Sequence, residues 1–267
     1  MNTPINKMLP ARLHVKLARA SSLSLVLRRG PTMHTASILW DRADDTFTLG
    51  QWLKGRIFAH ECDVSPDGKH MIYRARGQHS YKSWIAVSCM PYLKALDFFD
   101  DADYYQALFL SNDTYCLATS IRKPKYKNSH LNITSCTAFG ADNRYSEIIA
   151  LRDGWNSIHN ESAGYNKLIA FEKQIHPHWK LLKKVSVPIP KNKSPEYTPH
   201  QLLHISTNTI YDKSDWEWAD WDNTQQRLVW AEHGKLLSAQ LSDNGIKNIH
   251  VLHDFNNMQF EEITAPY

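Results

Sequence analysis

The chain has few of the features that mark several common protein classes. No apolar run approaches the roughly 18 residues needed for a helical membrane span. No signal peptide is evident: the most apolar early stretch, Leu23 to Leu27, is short, and Arg12, Lys16 and Arg19 interrupt the approach to it. A cytoplasmic location without membrane attachment is therefore expected. The four cysteines, Cys62, Cys89, Cys116 and Cys136, show no Cys-x-x-Cys spacing, so reduced thiols are expected and not a disulfide framework. There is no Gly-x-Ser-x-Gly elbow, no phosphate-binding loop, no Gly-x-Gly-x-x-Gly and no His-Glu-x-x-His. A formal net charge of only +4 argues against a general nucleic-acid binder. Glycine is also sparse, at ten residues in 267.

Aromatics, by contrast, are plentiful. Nine Trp and twelve Tyr suit strands packed face to face. The most informative stretch runs from Cys62 to Tyr73. An apolar strand ends in Asp63-Val64-Ser65, Pro66 presets φ, and Asp67-Gly68 supplies a tight turn before Met71-Ile72-Tyr73. The layout recurs from Asp220-Trp221-Asp222 to Leu228-Val229-Trp230. In both copies the leading Asp stands ten positions before the closing aromatic.

Post-turn strands centred on Val26, Ile72, Leu117, Ile169 and Val229 are spaced by 46, 45, 52 and 60 residues. Trp-Asp repeat blades run ~40–45 residues and kelch blades ~50. Each anchor is followed by another strand-like run, at 36–40, 83–87, 131–134, 179–182 and 236–239. The expected fold is all-β, a single β-propeller domain over 1–267 with five irregular blades; a two-sheet β-sandwich is the alternative. Residues 122–130 and 188–199, rich in Lys and Pro, read as exposed loops. A short helix would fit within 91–106. No βαβ alternation appears, which argues against a parallel α/β fold.

The Ser65-Pro66-Asp67-Gly68 turn resembles that of Trp-Asp repeat and Tol-type propellers. Further motifs are Pro10-Ala11-Arg12-Leu13-His14-Val15, Leu27-Arg28-Arg29-Gly30-Pro31 and Gly50-Gln51-Trp52-Leu53-Lys54-Gly55-Arg56-Ile57, the last leading into Cys62 to Gly68. Together they resemble a family of uncharacterised bacterial proteins, well over about the first 90 residues and loosely beyond. The resemblance implies a bacterial cytosolic protein and brings no activity with it.

Candidate chemistry is thin. The close histidine pairs are His176/His178, His200/His204 and His250/His253. None brings the third and fourth ligands of a zinc site, so no metal and no cofactor is expected. In His60-Glu61-Cys62-Asp63, strand alternation would put His60 and Cys62 on one face and Glu61 and Asp63 on the other, splitting a catalytic constellation. Basic residues at Lys123–Lys127 and Lys180–Lys193 lie in different parts of the chain, so nucleic acid is not the expected partner.

The best functional candidate is the acidic, Trp-rich segment 212–222. Asp212, Asp215, Trp216, Glu217 and Trp218 within it suit a hot spot for a basic protein partner, unless the tryptophans are core. Asp100, Asp101 and Asp103 form a second such patch beside Phe98, Phe99, Tyr104 and Tyr105. The expected function is therefore non-enzymatic protein binding, at its sharpest a bacterial immunity protein that neutralises a cognate toxin by direct contact. The alternative is a carbohydrate-active propeller hydrolase with carboxylates in a central funnel; Asp63, Glu161 and Asp220 occupy comparable positions for it.

Overall fold

The structure, a computed structural model, describes residues 9–30, 33–102, 106–117, 123–135, 145–163, 166–187 and 197–267. It is nearly all β. The first four strands, β1 (Arg12–Leu17), β2 (Leu23–Arg29), β3 (His34–Asp41) and β4 (Thr46–Ile57), form an antiparallel meander. A 3-10 turn, Ala59–Glu61, leads to β5 (Asp63–Val64), β6 (His70–Gly77), β7 (Ser83–Cys89) and β8 (Asp97–Phe99), a second meander. β4 also pairs with β6, which fuses the two into one sheet. Next come β9 (Ala107–Phe109), β10 (Thr114–Leu117), β11 (Tyr126–Lys127) and β12 (Asn132–Ser135). β9 and β12 flank β10, with β12 running parallel to it, and β11 returns to the edge of β8.

Helix α1 (Tyr145–Arg152) precedes a five-stranded antiparallel sheet: β13 (Asn156–Ala163), β14 (Asn166–His176), β15 (Trp179–Val187), β16 (His200–His204) and β17 (Thr209–Lys213). The last sheet is a meander of β18 (Trp218–Asp222), β19 (Arg227–Glu232), β20 (Lys235–Ser242) and β21 (Gly245–Asp254). Among the described residues, no helix is long and apolar enough to cross a membrane.

The sequence repeat is visible in these elements. Val26, Ile72, Leu117, Ile169 and Val229 fall on β2, β6, β10, β14 and β19. All are buried, because both faces of these strands are covered. The Ser65–Gly68 turn closes as its chemistry requires. The Ser65 hydroxyl donates to Asp67 Oδ1 (2.6 Å), which also accepts the Lys69 N–H (3.1 Å). Gly68 takes φ +72°, open to glycine and strained for other residues.

Two expectations differ from what is found. Residues 91–102 hold no helix: Met90-Pro91 is a cis peptide and β8 is extended. The Lys-rich stretch near 122–130 is only partly a loop, because Tyr126 and Lys127 pair with Phe98 and Asp97. Residues 188–196 of the Pro-rich insertion lie outside the described residues.

Packing joins successive sheets. Ile72, Ile85 and Val87 of the second meander pack with Phe109 and Tyr115 of the third sheet. Leu108 and Cys116 pack on Tyr145 and Ile149 of α1. Phe171 and Leu181 of the five-stranded sheet pack with Leu228 and Trp230 of the last. The last sheet returns to the first: Val229, Ala231 and Leu236 pack with Leu13, Val26 and Trp40.

Polar contacts bind the same seam. The Leu13 N–H donates to Glu217 Oε2 (2.7 Å), and the buried Arg28 side chain donates from Nε to the Phe255 carbonyl (3.1 Å). At the β4–β6 junction, a Cβ on Gly55 would run into the Arg76 carbonyl. Gly55→Ala is therefore expected to cost about 1–3 kcal/mol in a urea melt, as other overpacked substitutions do. A loss under about 0.5 kcal/mol would show that β4 can move aside.

A cationic central cavity

A cavity of about 640 Å³ lies where the sheets converge. This is within the ~300–1,000 Å³ range of small-molecule sites. Its wall comes from β1, the Ala59–Glu61 turn, α1, the face of the five-stranded sheet, and β18. Six cationic side chains reach it: Lys16, Arg19, Arg42, Arg152, Lys173 and Lys183. Among the described residues, three carboxylates do: Asp153, Glu217 and Asp220.

The cations divide by whether they are already paired. Arg42 bonds Asp222 (3.0 Å), Lys173 bonds Asp220 (2.7 Å), and Arg152 grips Asp63 with both terminal nitrogens (2.7 and 2.8 Å). Lys16, Arg19 and Lys183 form no ion pair with any described residue. Their charge is thus available to something in the cavity.

The two repeated aspartates explain part of this arrangement. Asp63 on β5 and Asp220 on β18 each hold a cavity cation contributed by another element, Arg152 of α1 and Lys173 of β14. Asp63 is fully buried and also accepts the Phe109 N–H (2.8 Å), so it ties the second and third sheets to the helix. Glu161 is exposed on β13, 3.3 Å from His159. Of Asp63, Glu161 and Asp220, the acids considered for a funnel, only Asp220 lines this cavity, and Asp63 and Asp220 are each engaged by a cation.

Lys183 is the most unusual of the cations. Strand register sets it directly between Phe171 on β14 and His200 on β16. Such cross-strand neighbours sit ~5 Å apart at Cβ. Its ammonium lies 3.8 Å from the centroid of the Trp155 ring and 5.6 Å from that of Phe171. Burial holds its pKa down to about 8, with the Lys16 and Lys173 charges adding to the effect against Asp220.

Histidines complete the wall. His200 is buried, its Nδ1 has no hydrogen-bond partner, and burial followed by the Lys183 charge pushes its pKa down to about 3. His14 packs edge-to-face on His60 with ring centroids 4.9 Å apart, and burial holds it neutral. Glu217 is pushed up to about 6 by burial. Among the described residues, no group of three His, Cys, Asp or Glu side chains is placed to hold a metal ion.

The structure sorts the residues singled out in the sequence. Trp216 and Trp218 are 5% and 8% exposed, and Trp216 stacks on Trp230 (5.0 Å). Trp216 and Trp218 are therefore core, and they cannot anchor a partner on the surface. Glu217 faces the cavity, while Asp212 and Asp215 are exposed. Asp100 and Asp101 are exposed beside Lys125 and Lys82, each 3.5 Å away. Asp103 lies outside the described residues.

The 3-10 turn breaks the strand alternation expected at 60–63. Glu61 pairs with Arg74, His60 faces His14, and burial pushes the Cys62 thiol up to about 12, which leaves it inert. Cys62, Cys89 and Cys116 form no disulfide with one another, and Cys136 lies outside the described residues.

Sequence reasoning missed Lys183 and Lys16, although a signal existed. In β15, Trp179, Leu181, Lys183 and Val185 share one face, so a lysine occupies a core-facing phase. In β1, Leu13 and Val15 face the core, and His14 and Lys16 stand on the other side, toward the cavity.

Comparison with known proteins adds no family. No family model matches the chain, and no curated protein does. Among solved structures, prolyl oligopeptidase B from Galerina marginata aligns at 11% identity and a TM-score of 0.25, over 92% of this chain and 34% of that one. A luciferin-regenerating enzyme aligns at 6% identity and a TM-score of 0.19, over 94% of this chain and 62% of the other. The chain thus spans about a third and about three-fifths of the lengths of these two structures, and the likeness is too distant to assign it to either family.

Proposed function

We propose that the chain is an irregular five-bladed β-propeller that acts by binding, with a small anionic ligand held in its central cavity. The propeller reading is supported by five successive strand groups in chain order and by the packing of the last sheet against the first. The binding reading rests on one observation above the rest: Lys16, Arg19 and Lys183 reach the cavity without an ion pair among the described residues. Lys16 and Lys183 are half-buried, and an anion offsets the cost of leaving their charge without a counter-ion, while the exposed Arg19 adds attraction at the rim.

A protein partner at the acidic edge is the second reading, and a toxin neutralised by an immunity protein is one form of it. The exposure of Asp100, Asp101, Asp212 and Asp215 favours it. The burial of Trp216 and Trp218 removes its aromatic anchors. A glycoside hydrolase finds less support, since Asp153, Glu217 and Asp220 are each engaged by Arg152, the Leu13 N–H and Lys173.

Calorimetric titration with inorganic pyrophosphate at low ionic strength tests the proposal. Saturable binding is expected that weakens as salt is raised. Proton uptake is expected near pH 8, because a bound anion lifts the Lys183 pKa back toward its ordinary value. Lys183→Met is expected to weaken binding about tenfold or more and to abolish the uptake. Absence of saturable heat, or an unchanged affinity in the variant, would remove the proposal.

A further inference from the structure

We propose that Lys183 is a carbonyl-reactive amine, which captures a small anionic aldehyde or keto acid in the cavity as a Schiff base. This rests on the anion-binding reading and names the ligand chemistry. Three features of the site carry it. The amine has no ion pair among the described residues, so no carboxylate in contact holds it as an ammonium. It lies against Trp155 and Phe171, whose rings shield the nitrogen from water. Its neighbour across the ladder, His200, is buried with an unpartnered Nδ1, and both side chains line the same cavity.

The step balances without any further reagent. The neutral amine attacks the carbonyl carbon, forming a C–N bond as the C=O π pair moves to oxygen. The ammonium proton of this adduct passes through a water molecule to the alkoxide, giving a neutral carbinolamine. The nitrogen lone pair then expels the hydroxyl, which takes the nitrogen's remaining proton and departs as one water molecule, leaving C=N. Lys16 and Arg19 hold the ligand's negative group, so the carbonyl end faces the aromatic wall. The lowered pKa of Lys183 helps: at pH 7 roughly a tenth of such an amine is neutral, against under a thousandth for an ordinary lysine.

The test is reductive trapping with glyoxylate and cyanoborohydride, followed by peptide mass mapping. Lys69 and Lys82, both largely exposed, serve as internal references. Labelling of Lys183 is expected to run at least tenfold faster than that of Lys69 or Lys82 at pH 7. The rate should level off near pH 8, and inorganic pyrophosphate should suppress it at Lys183 alone. Lys183→Met is expected to abolish the fast label while leaving that of Lys69 and Lys82 unchanged.

If Lys183 is labelled no faster than Lys69 while pyrophosphate still binds, the Schiff-base proposal falls and the anion site stands. If pyrophosphate does not bind either, both fall.

Discussion

Asp222→Ala is expected to cost about 3–5 kcal/mol of folding stability, the largest effect of any single substitution considered for this chain. Asp222 is fully buried at the end of β18 and accepts from two arginines, Arg42 Nη1 (3.0 Å) and Arg227 Nε (3.1 Å). It also accepts the Thr224 N–H (3.0 Å), which closes the β18–β19 turn. Arg42 is itself 3% exposed, and it donates to the Ser22 and Ala18 carbonyls at 3.0 Å each. Arg227 continues to Asp45 in the β3–β4 turn. The network therefore clasps the last sheet to the first.

Removing the carboxylate strands a buried guanidinium, and desolvation of an unpaired charge dominates the cost. Asp243→Ala, at a largely exposed carboxylate, is expected to change stability by under about 0.5 kcal/mol. Urea unfolding of the three proteins measures the difference. A loss below about 1 kcal/mol for Asp222→Ala would mean that the seam is held by apolar packing alone.

The second large effect is on pH. Stability is expected to fall as the pH is lowered from about 6.5 toward 3, by about 1.4 kcal/mol per pH unit for each histidine buried in its neutral form. Above pH 6.5, His200 and His14 are neutral whether the chain is folded or not. Below it, the unfolded chain takes up protons that the folded chain refuses, since burial holds both histidines down, His200 to about 3. The unfolded state is favoured through the whole window between the two values.

Glu217 acts in the opposite sense. Its folded value of about 6 exceeds its ordinary 4.5, so between those values the folded chain binds the extra proton and part of the loss is offset. Unfolding free energies at pH 7, 6 and 5 test this. His200→Gln is expected to flatten the slope by about 1.4 kcal/mol per unit. An unchanged slope would contradict the neutral burial of His200.

Much of the fold was legible in the sequence because local chemistry and tertiary structure agree there. The Pro66-Asp67-Gly68 turn could form in few other ways, and the doubly buried strands around Val26, Ile72 and Val229 were apolar runs of strand length. Helix α1 was not legible. It is two turns long, and with Tyr145, Ile149 and Ala150 buried it shows no clean apolar stripe. The parallel pairing of β12 with β10 left no mark either, since parallel and antiparallel partners place the same demands on so short a strand.

The site was harder still. Lys16, Arg19, Arg152 and Lys183 are far apart in sequence and meet only when the sheets converge. A net charge of +4 gives no hint of such concentration, because it sums 31 Lys and Arg against 27 Asp and Glu over the whole chain. The acidic segment 212–222 drew attention instead, yet Trp216 and Trp218 proved to be core and Glu217 a seam residue. One clue was readable beforehand: a lysine in the core-facing phase of β15, between Leu181 and Val185, is out of place unless something in the interior needs it.

The central claim is that the middle of the molecule is an anion site, and a crystal structure of the protein soaked in tungstate tests it most directly. The account expects an anomalous peak inside the cavity, within contact of Lys16, Arg19 or Lys183. Tungstate found only at surface lysines such as Lys69 and Lys82, with the cavity lined by ordered water alone, would contradict it.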